Sequence, residues 1–250
     1  MPGFADAEHL WAQRLGTLRN TVRQELISRQ LAEHVSGALT VLDVACGQGT
    51  QAIRFARSGC RVVGVDRSPQ LLAMLVADAA AAGTSVEAIE ADFPALEPSL
   101  AERTFDLVCA HGLLMYLDDA RAALATLVER LTERGLLSVT FRNRAALAFR
   151  PGIRQQWGAT LAAFEATTYV NELGVAAGAH SLDEMTAWLD ELGLEVQAWY
   201  GVRVFSDAAP ADAPPPDGLA ALLEAEFQAG RRDPYRQLGA QLHVLARRRA

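Results

Sequence analysis

The chain contains 250 residues, of which 50% are hydrophobic and 21% are charged, and this ordinary balance excludes a fibrous or largely disordered protein. The length suits one large domain with insertions. A formal net charge of −7 argues against a general nucleic-acid binder, because contacts with phosphates need clustered lysine and arginine. No stretch approaches the roughly 18 apolar residues of a membrane span, and the first residues lack the pattern of a secretory leader, so we expect a cytoplasmic protein.

Cysteine and histidine are too scattered to indicate a disulfide framework or a metal site. Cys46, Cys60 and Cys109 are isolated and odd in number, so we expect free thiols. The five histidines form no closely spaced pair of ligands. We therefore expect no metal in the functional site.

Two stretches are rich in arginine despite the acidic total. The first contains Arg14, Arg19, Arg23 and Arg29, and the second, which has no acidic residue, contains Arg142, Arg144, Arg150 and Arg154. Such arginines form either a solvated surface or a local binding face.

Between residues 39 and 141 the sequence alternates strand-like and helix-like segments. Helical patterns begin at about residue 50 and lie near 69–82 and 118–131. This alternation predicts a doubly wound α/β fold, in which helices cover both faces of a mostly parallel sheet. Five apolar runs predict the strands: LTVLDVA, CRVVGVD, SVEAIEAD, FDLVCAHG and GLLSVTF.

Local signals mark several ends of these elements. Ser68 followed by Pro69 is typical of a helix start, with the serine as N-cap and the proline at the first helical position. Gly59 and Gly83 stand where helices are expected to end. Gly135 is expected to let the chain turn into the fifth strand.

Residues 142–180 interrupt the alternation with proline and aromatic residues, and we interpret them as an inserted helical cap. After the cap, SLDEMTAWLDELG predicts a helix capped by Ser181, and LEVQAWYGVRVFSD predicts a strand. The proline-rich residues 209–218 predict a surface linker, which is followed by a helix and a last strand, AQLHVLARRR.

These segments predict a single domain with a seven-stranded sheet. It comprises a helical arm over residues 1–38, a core over 39–141, the cap over 142–180 and the C-terminal part of the sheet over 181–250.

The segment VLDVACGQGTQA joins the first strand to the first helix of the core. Gly47 and Gly49 permit positive φ angles and a close approach of the backbone to a ligand. The amides at the helix start suit a carboxylate or a phosphate. This combination predicts a nucleotide-like ligand.

The same residues also satisfy the G-x-G-x-x-A pattern of dinucleotide-binding domains, so a nicotinamide or flavin enzyme is the alternative. Acidic residues at the next strand ends favour S-adenosylmethionine instead. Asp43, at the end of the first strand, is placed to bind the amino group of a methionine moiety. Asp66, at the end of the second, is placed to accept hydrogen bonds from ribose hydroxyls, a role that both cofactor classes share. Asp92, followed by Phe93, is placed to bind an adenine amino group.

Each of these residues, taken singly, also has a purely structural explanation. Asp66 could cap a helix, and Asp92 could form a turn. Together, however, they fall at successive carboxyl ends of parallel strands, where open α/β sheets bind their ligands. The combination therefore indicates a cofactor site.

Across most of its length the chain resembles the bacterial tRNA 5-carboxymethoxyuridine methyltransferase family. Of the motifs that carry the resemblance, GVRVF and RRDPYRQLG are more particular than the cofactor motifs, which many methyltransferases share. The resemblance implies a class I, Rossmann-like methyltransferase that uses S-adenosylmethionine to convert the wobble carboxymethoxy group of tRNA to a methyl ester. The other motifs are VRQELISRQL, VLDVACGQGTQA, GVDRSPQLL, FDLVCAHGLLMYLDD and the C-terminal segment LLEAEFQAGRRDPYRQLGAQLHVLARR, of which RRDPYRQLG is a part.

The resemblance also implies roles for individual residues. Arg23 would pair with the methionine carboxylate of the cofactor, and His111 would lie near the cofactor after the fourth strand. Cys46 stands where glycine is familiar in the loop. The full set of cofactor-binding residues is then Arg23, Asp43, Ala45, Cys46, Gly47, Gly49, Asp66, Arg67, Asp92, Phe93 and His111.

The chemistry of the methyl acceptor decides which further residues are needed. A carboxylate is ionised at neutral pH and needs no general base, and Arg203, Arg142 or Arg144 would orient it. A hydroxyl or amine acceptor would benefit from a base, for which His111 and Tyr116 are the candidates.

Three functions remain open at this point: methylation of an RNA carboxylate, O- or N-methylation of a small molecule, and cofactor binding without activity. For an RNA acceptor, Trp157 in the cap is a candidate for stacking on a base.

Overall fold

A computed structural model of the protein describes residues 16–171 and 174–249. Residues 1–15 of the predicted arm, Arg14 among them, lie outside the described residues. The helices are α1 (Leu18–Ala32), α2 (Thr50–Arg57), α3 (Pro69–Ala81), α4 (Leu96–Leu100), α5 (Ala120–Glu129), α6 (Phe149–Ile153), α7 (Trp157–Ala163), α8 (Leu182–Glu191) and α9 (Leu219–Gly230). The strands are β1 (Thr40–Val44), β2 (Arg61–Asp66), β3 (Glu87–Glu90), β4 (Phe105–His111), β5 (Leu131–Arg142), β6 (Thr168–Val170), β7 (Ala176–Gly178), β8 (Leu194–Val202) and β9 (Gln241–Arg248).

Seven strands form one sheet in the order β3-β2-β1-β4-β5-β9-β8. The neighbouring pairs among β1–β5 are all parallel, which confirms the predicted seven-stranded, mostly parallel sheet. In β1, the residues from Val41 to Val44 are all buried, as expected where helices cover both faces of a parallel sheet.

The edge strand β3 differs from the central strands. Its first and last residues, Glu87 and Glu90, are exposed. Arg103 donates to both carboxylate oxygens of Glu87, at 2.7 and 2.9 Å. Charges of this kind discourage another chain from pairing with an open edge.

The described chain forms two compact units. Unit 1 contains the residues up to Gln30 together with Phe141–Met185 and Trp199–His243, and unit 2 contains Leu31–Thr140, Thr186–Ala198 and the residues from Val244 onward. A buried apolar group in unit 1 joins α1 to the end of β8 and to α9; its members are Leu18, Val22, Leu26, Val202 and Leu223.

The segment predicted to be a helical cap contains α6, α7 and a small antiparallel pair of strands, β6 and β7, in which Thr168 pairs with Gly178. The pair was not predicted from the sequence. Its first strand, Thr168–Val170, consists of β-branched and aromatic residues, which favour extended backbone.

The predicted helix ends agree with the structure. The hydroxyl of Ser68 accepts a hydrogen bond from the amide of Leu71 at 3.1 Å. Gly59 and Gly83 follow α2 and α3 with φ angles of 87° and 70°, in the left-handed conformation common after helices. Ser181 caps α8 by accepting a hydrogen bond from the Glu184 amide at 3.1 Å.

The prediction for Gly135 was wrong in its position. β5 begins at Leu131, so Gly135 lies inside the strand and not at a turn before it. The register of β5 against β4 shifts at this point. A Cβ on Gly135 would lie 3.0 Å from the carbonyl oxygen of Phe105, and glycine therefore permits the irregularity.

Within the described ranges, no helix is both long and apolar enough to cross a membrane. The same residues also contain no group of three or more His, Cys, Asp or Glu side chains arranged to hold a metal ion.

The N-cap of α3 gives a direct test of this local structure. Replacing Ser68 by alanine removes the acceptor for the Leu71 amide and should lower the free energy of unfolding by about 1 kcal/mol. Chemical denaturation measures the change. Ser85→Ala, at an exposed position, is the matched control, and an equal loss in both variants would contradict the capping role.

Candidate functional site

The loop between β1 and α2 is shaped by three residues with positive φ. Ala45, Gly47 and Gly49 have φ angles of 56°, 57° and 79°. Gly49 is the N-cap of α2, and a Cβ at this position would overlap the side chain of Leu75. The predicted glycine loop therefore has the tight backbone that a ligand can approach closely.

The residue that replaces a glycine of the familiar loop pattern is Ala45, and not Cys46 as expected. Ala45 is the residue that adopts the left-handed conformation, at a cost of roughly 1 kcal/mol or more for a residue with a Cβ. Cys46 instead donates its amide to the carbonyl oxygen of Val65 at 3.1 Å. Burial and then the charge of Asp43 raise the pKa of the Cys46 thiol, so that it stays neutral.

Asp43 is a buried carboxyl group beside this loop. Burial is the main cause that raises its pKa to about 7, and the charge of Asp66 adds to the effect. Asp43 is buried and Asp66 is half-buried, and two acidic groups whose charges repel each other favour a cationic ligand, because such a ligand stabilises their charged forms. The site therefore suits the amino group and the sulfonium of S-adenosylmethionine.

Asp66 organises the loop directly. One carboxylate oxygen accepts a hydrogen bond from the amide of Gly47 at 2.8 Å, and the other accepts one from the amide of Ser68 at 3.0 Å. This link between the ends of β1 and β2 was not predicted from the sequence, which suggested only a ribose acceptor. Binding of the ribose by Asp66 remains a prediction.

The other residues predicted beside the cofactor follow neighbouring strands. Arg67 comes directly after β2 and is exposed. Asp92 follows β3 and accepts a hydrogen bond from the amide of Phe93 at 2.8 Å. Because β3, β2, β1 and β4 are adjacent and parallel, their carboxyl ends lie along one edge of the sheet.

His111 ends β4, and its Nε2 lies 2.8 Å from the hydroxyl of Ser138 on β5. The one sequence signal for this partner is a serine among the mostly apolar residues of the predicted strand GLLSVTF. Tyr116 ends the short 3₁₀ turn after β4 and is half-buried.

Arg23 belongs to unit 1, unlike the residues of the loop. It lies on α1, and its guanidinium donates to the side-chain oxygen of Asn20 at 2.8 Å. Its contact with the cofactor carboxylate remains a prediction.

Unit 1 contains an arginine cluster, which we define as Arg19, Arg142, Arg150 and Arg203 around Asp207. Arg150 donates to both carboxylate oxygens of Asp207, at 2.7 and 3.0 Å. Arg142 and Arg203 approach the same carboxylate at 3.6 and 3.3 Å, and Arg19 donates to the backbone oxygen of Asp207 at 3.3 Å.

The cluster is buried and electrostatically strained. The side chains of Arg142 and Asp207 are only 4% and 8% exposed. Burial, followed by repulsion from Arg203 and Arg150, lowers the pKa of Arg19 to about 9. Burial alone would raise the pKa of Asp207, but the charges of the surrounding arginines hold it well below its usual value.

The sequence predicted only part of this cluster. Arg142 and Arg203 were candidates for orienting the acceptor, and the structure brings them together. Arg144, the third candidate, instead donates to Glu184 at 2.8 Å. Arg19 and Arg150 were predicted only as members of the two arginine-rich stretches, and the structure adds Asp207, which no sequence pattern indicated.

Comparisons with known proteins agree with this geometry. A methyltransferase domain family matches residues 41–135. The chain is 28% identical to the tRNA 5-carboxymethoxyuridine methyltransferase of Escherichia coli K12, over 97% of this chain and 92% of that protein. It is 29% identical to a ubiquinone biosynthesis O-methyltransferase of Xylella fastidiosa, over 74% of this chain and 71% of that protein.

Solved structures show the same fold. An S-adenosylmethionine-dependent methyltransferase from Mesorhizobium loti superimposes with a TM-score of 0.59 at 18% identity, covering 89% of this chain and 98% of that one. The magnesium protoporphyrin IX methyltransferase of Synechocystis, solved with bound S-adenosylhomocysteine, also gives 0.59, at 14% identity, covering 92% and 85%.

The fold and the sequence family together define an S-adenosylmethionine-dependent methyltransferase with a Rossmann-like sheet. This chain is such an enzyme, and S-adenosylmethionine is its cofactor. When bound, the cofactor supplies a methyl group already activated on a sulfonium.

Asp43 predicts a pH dependence of cofactor binding. Its carboxyl group is protonated below about pH 7 and ionised above it. A cationic ligand favours the ionised form, so affinity should fall as the pH drops from about 8 to about 6, and binding near pH 7 should release a proton. Calorimetry in buffers of different ionisation enthalpy measures this proton.

The Asp43→Asn variant keeps the shape of the side chain but removes the titration. Its cofactor affinity should be weaker and independent of pH over that interval. Proton release that persists unchanged in this variant would assign the titration to another group.

Proposed function

We propose that this enzyme transfers a methyl group to the carboxylate of 5-carboxymethoxyuridine in tRNA, and that it therefore acts in the cytoplasm. The observation that carries the proposal is the arginine cluster, which suits an anionic acceptor. A small-molecule acceptor is the second candidate.

The charge of the cluster is unbalanced. Among the described residues, the four guanidinium groups of the cluster surround one carboxylate, that of Asp207. Buried cations are unfavourable unless they are paired, so an additional anion would stabilise the group.

Donor groups for such an anion are already in place. Among the described residues, the Nε atoms of Arg142 and Arg203 are buried without a hydrogen-bond partner, and the Nη1 of Arg142 lies 3.6 Å from a carboxylate oxygen of Asp207, too far for a normal hydrogen bond. The ring of Tyr169 lies 5.0 Å from the guanidinium carbon of Arg142 and packs against this side chain. The donors thus belong to side chains held in position before the acceptor arrives.

A carboxylate acceptor also fits the chemistry. It is ionised at neutral pH and can attack the methyl group without a general base. The residues of the enzyme then need only to bind the carboxylate, align one of its oxygens with the methyl group and exclude water. Arg150 already forms a two-point contact with Asp207, which leaves Arg142 and Arg203 to hold the acceptor through single hydrogen bonds.

The relatives support both candidates to different extents. Similarity to the Escherichia coli tRNA 5-carboxymethoxyuridine methyltransferase extends over nearly the whole chain. Similarity to ubiquinone biosynthesis O-methyltransferases covers about three quarters of it. A hydroxyl or amine acceptor would give His111 or Tyr116 a role as general base, whereas the arginine cluster favours a carboxylate.

The acceptor can be identified directly. The enzyme is incubated with labelled S-adenosylmethionine and bulk tRNA from a strain that lacks the gene, and the digested nucleosides are analysed by mass spectrometry. We expect the labelled methyl ester of 5-carboxymethoxyuridine. Unlabelled RNA, from an enzyme that binds the cofactor, would contradict the proposal and favour the small-molecule candidate.

The arginine cluster predicts a specific loss of activity. Arg142→Met keeps most of the side-chain volume but removes the charge and the donors. Since a hydrogen bond to a charged group contributes about 2–3 kcal/mol, kcat/KM for tRNA should fall roughly 30- to 150-fold. Stability should be maintained, because the substitution also relieves repulsion among buried cations.

Arg144→Met is the matched control, since Arg144 pairs with Glu184 outside the cluster. It should retain nearly full activity. Equal activity losses in the two variants would show that the cluster has no special role.

A tRNA acceptor also predicts salt dependence. Contacts with several phosphates should weaken tRNA binding steeply between about 50 and 200 mM salt, whereas binding of a neutral small molecule should change little. Filter binding with purified tRNA measures this dependence. A flat response would argue against phosphate contacts.

A further inference from the structure

Two segments that the family resemblance singled out, Gly201–Phe205 and Arg231–Gly239, pack directly against each other in unit 1. A Cβ on Gly201 would lie 2.5 Å from the carbonyl oxygen of Arg236, and a Cβ on Gly239 would lie 2.7 Å from the Cα of Gly201. Only residues without a Cβ allow this backbone contact. The two segments are therefore held at a fixed separation.

This contact brings together two aromatic rings that remain in solvent. The ring centroids of Phe205 and Tyr235 are 6.4 Å apart with an interplanar angle of 61°. Phe205 is 58% exposed and Tyr235 is 49% exposed. We call this pair the aromatic platform.

The backbone that carries Phe205 is fixed by a buried carboxylate. Glu226 accepts hydrogen bonds from the amides of Val204, Phe205 and Ser206 at 2.7, 3.1 and 2.7 Å, and from the Ser206 hydroxyl at 2.5 Å. Burying a carboxylate is costly unless such bonds compensate it. The fold thus uses a buried charge to hold an exposed ring in one place.

The segment that carries Tyr235 is fixed as well. The side-chain amide of Asn143 donates to the carbonyl oxygens of Gln237 and Gly239, both at 2.9 Å. The guanidinium of Arg236 lies 3.8 Å from the ring centre of Trp199. Both rings of the platform are therefore presented on rigid backbone, which lowers the entropic cost of binding a flat ligand.

The charges near the platform favour a nucleic acid. Arg231, Arg232 and Arg236 accompany a single acid, Asp233, in the same segment. Arg236 pairs with Asp233, so the excess positive charge of the segment is carried by Arg231 and Arg232. Exposed aromatic rings beside arginine are the usual means of binding unstacked bases of single-stranded RNA, where rings stack on bases and arginines contact phosphates.

We propose that Phe205 and Tyr235 form a stacking site for an unpaired nucleobase in the anticodon loop of the RNA acceptor. This inference rests on the proposed function, since it takes RNA as the acceptor. This site does not include Trp157, the residue that the sequence suggested for stacking, which lies at the start of α7.

The test measures RNA binding separately from methylation. The probe is a fluorescently labelled anticodon stem-loop with plain uridine at the wobble position, which offers no carboxylate. Stacking on an aromatic side chain contributes roughly 1–3 kcal/mol per base, so Phe205→Leu and Tyr235→Leu should each weaken binding about 5- to 150-fold. Tyr235→Phe should restore the affinity, because it keeps the ring.

Phe164→Leu is the matched control, because Phe164 is an equally exposed aromatic residue of unit 1, at 67%. It should bind the stem-loop like the unmodified enzyme. With full-length tRNA, the two platform variants should raise KM and leave kcat nearly unchanged.

The outcomes separate this inference from the proposed function. If the unmodified enzyme methylates tRNA but the platform variants bind and react normally, the platform is wrong and the proposed function stands. If tRNA is not methylated, the proposed function fails, but binding of the stem-loop still tests the stacking site. Binding that depends on both rings supports the stacking site. Absence of binding by the unmodified enzyme overturns it.

Discussion

Parallel pairing of β1 with β2 and β4 is the constraint on which the cofactor site depends. It places the carboxyl ends of these strands at one edge, where Asp43, Asp66 and His111 end or nearly end their strands. The hydrogen bond from the Gly47 amide to Asp66 then joins two of these ends into one loop structure. Residues far apart in the chain are thereby brought to one edge of the sheet, as the predicted cofactor site requires.

Three locally unfavourable features lie at the candidate sites. Ala45 adopts a left-handed conformation, Asp43 is buried with a raised pKa, and the arginine cluster holds more positive than negative charge. Each feature lowers the stability of the free protein, and a cation at Asp43 or an anion at the arginine cluster would offset the two electrostatic costs. This pattern is common where function requires a preformed site.

The two units contain residues proposed for different ligands, the cofactor in unit 2 and the methyl acceptor in unit 1. Unit 2 contains residues 41–135, which match a broad methyltransferase domain family, and with them the loop and the acidic residues that are predicted to bind the cofactor. Unit 1 contains the arginine cluster and the aromatic platform, for which the proposed acceptor is a carboxylate on an unpaired RNA base. Substrate choice would then depend on unit 1, while the chemistry of methyl transfer depends on the cofactor and on positioning.

The sequence by itself determined the seven strands, the capping of α3 and α8 and the glycine loop, because hydrophobic periodicity and turn chemistry act between near neighbours in the chain. It did not reveal the strand pair β6–β7 or the true place of Gly135, since both depend on pairing with other segments. Only the tertiary structure decided which arginines surround Asp207 and that Phe205 meets Tyr235. Those contacts join residues from distant parts of the chain, and no local pattern encodes long-range side-chain contacts.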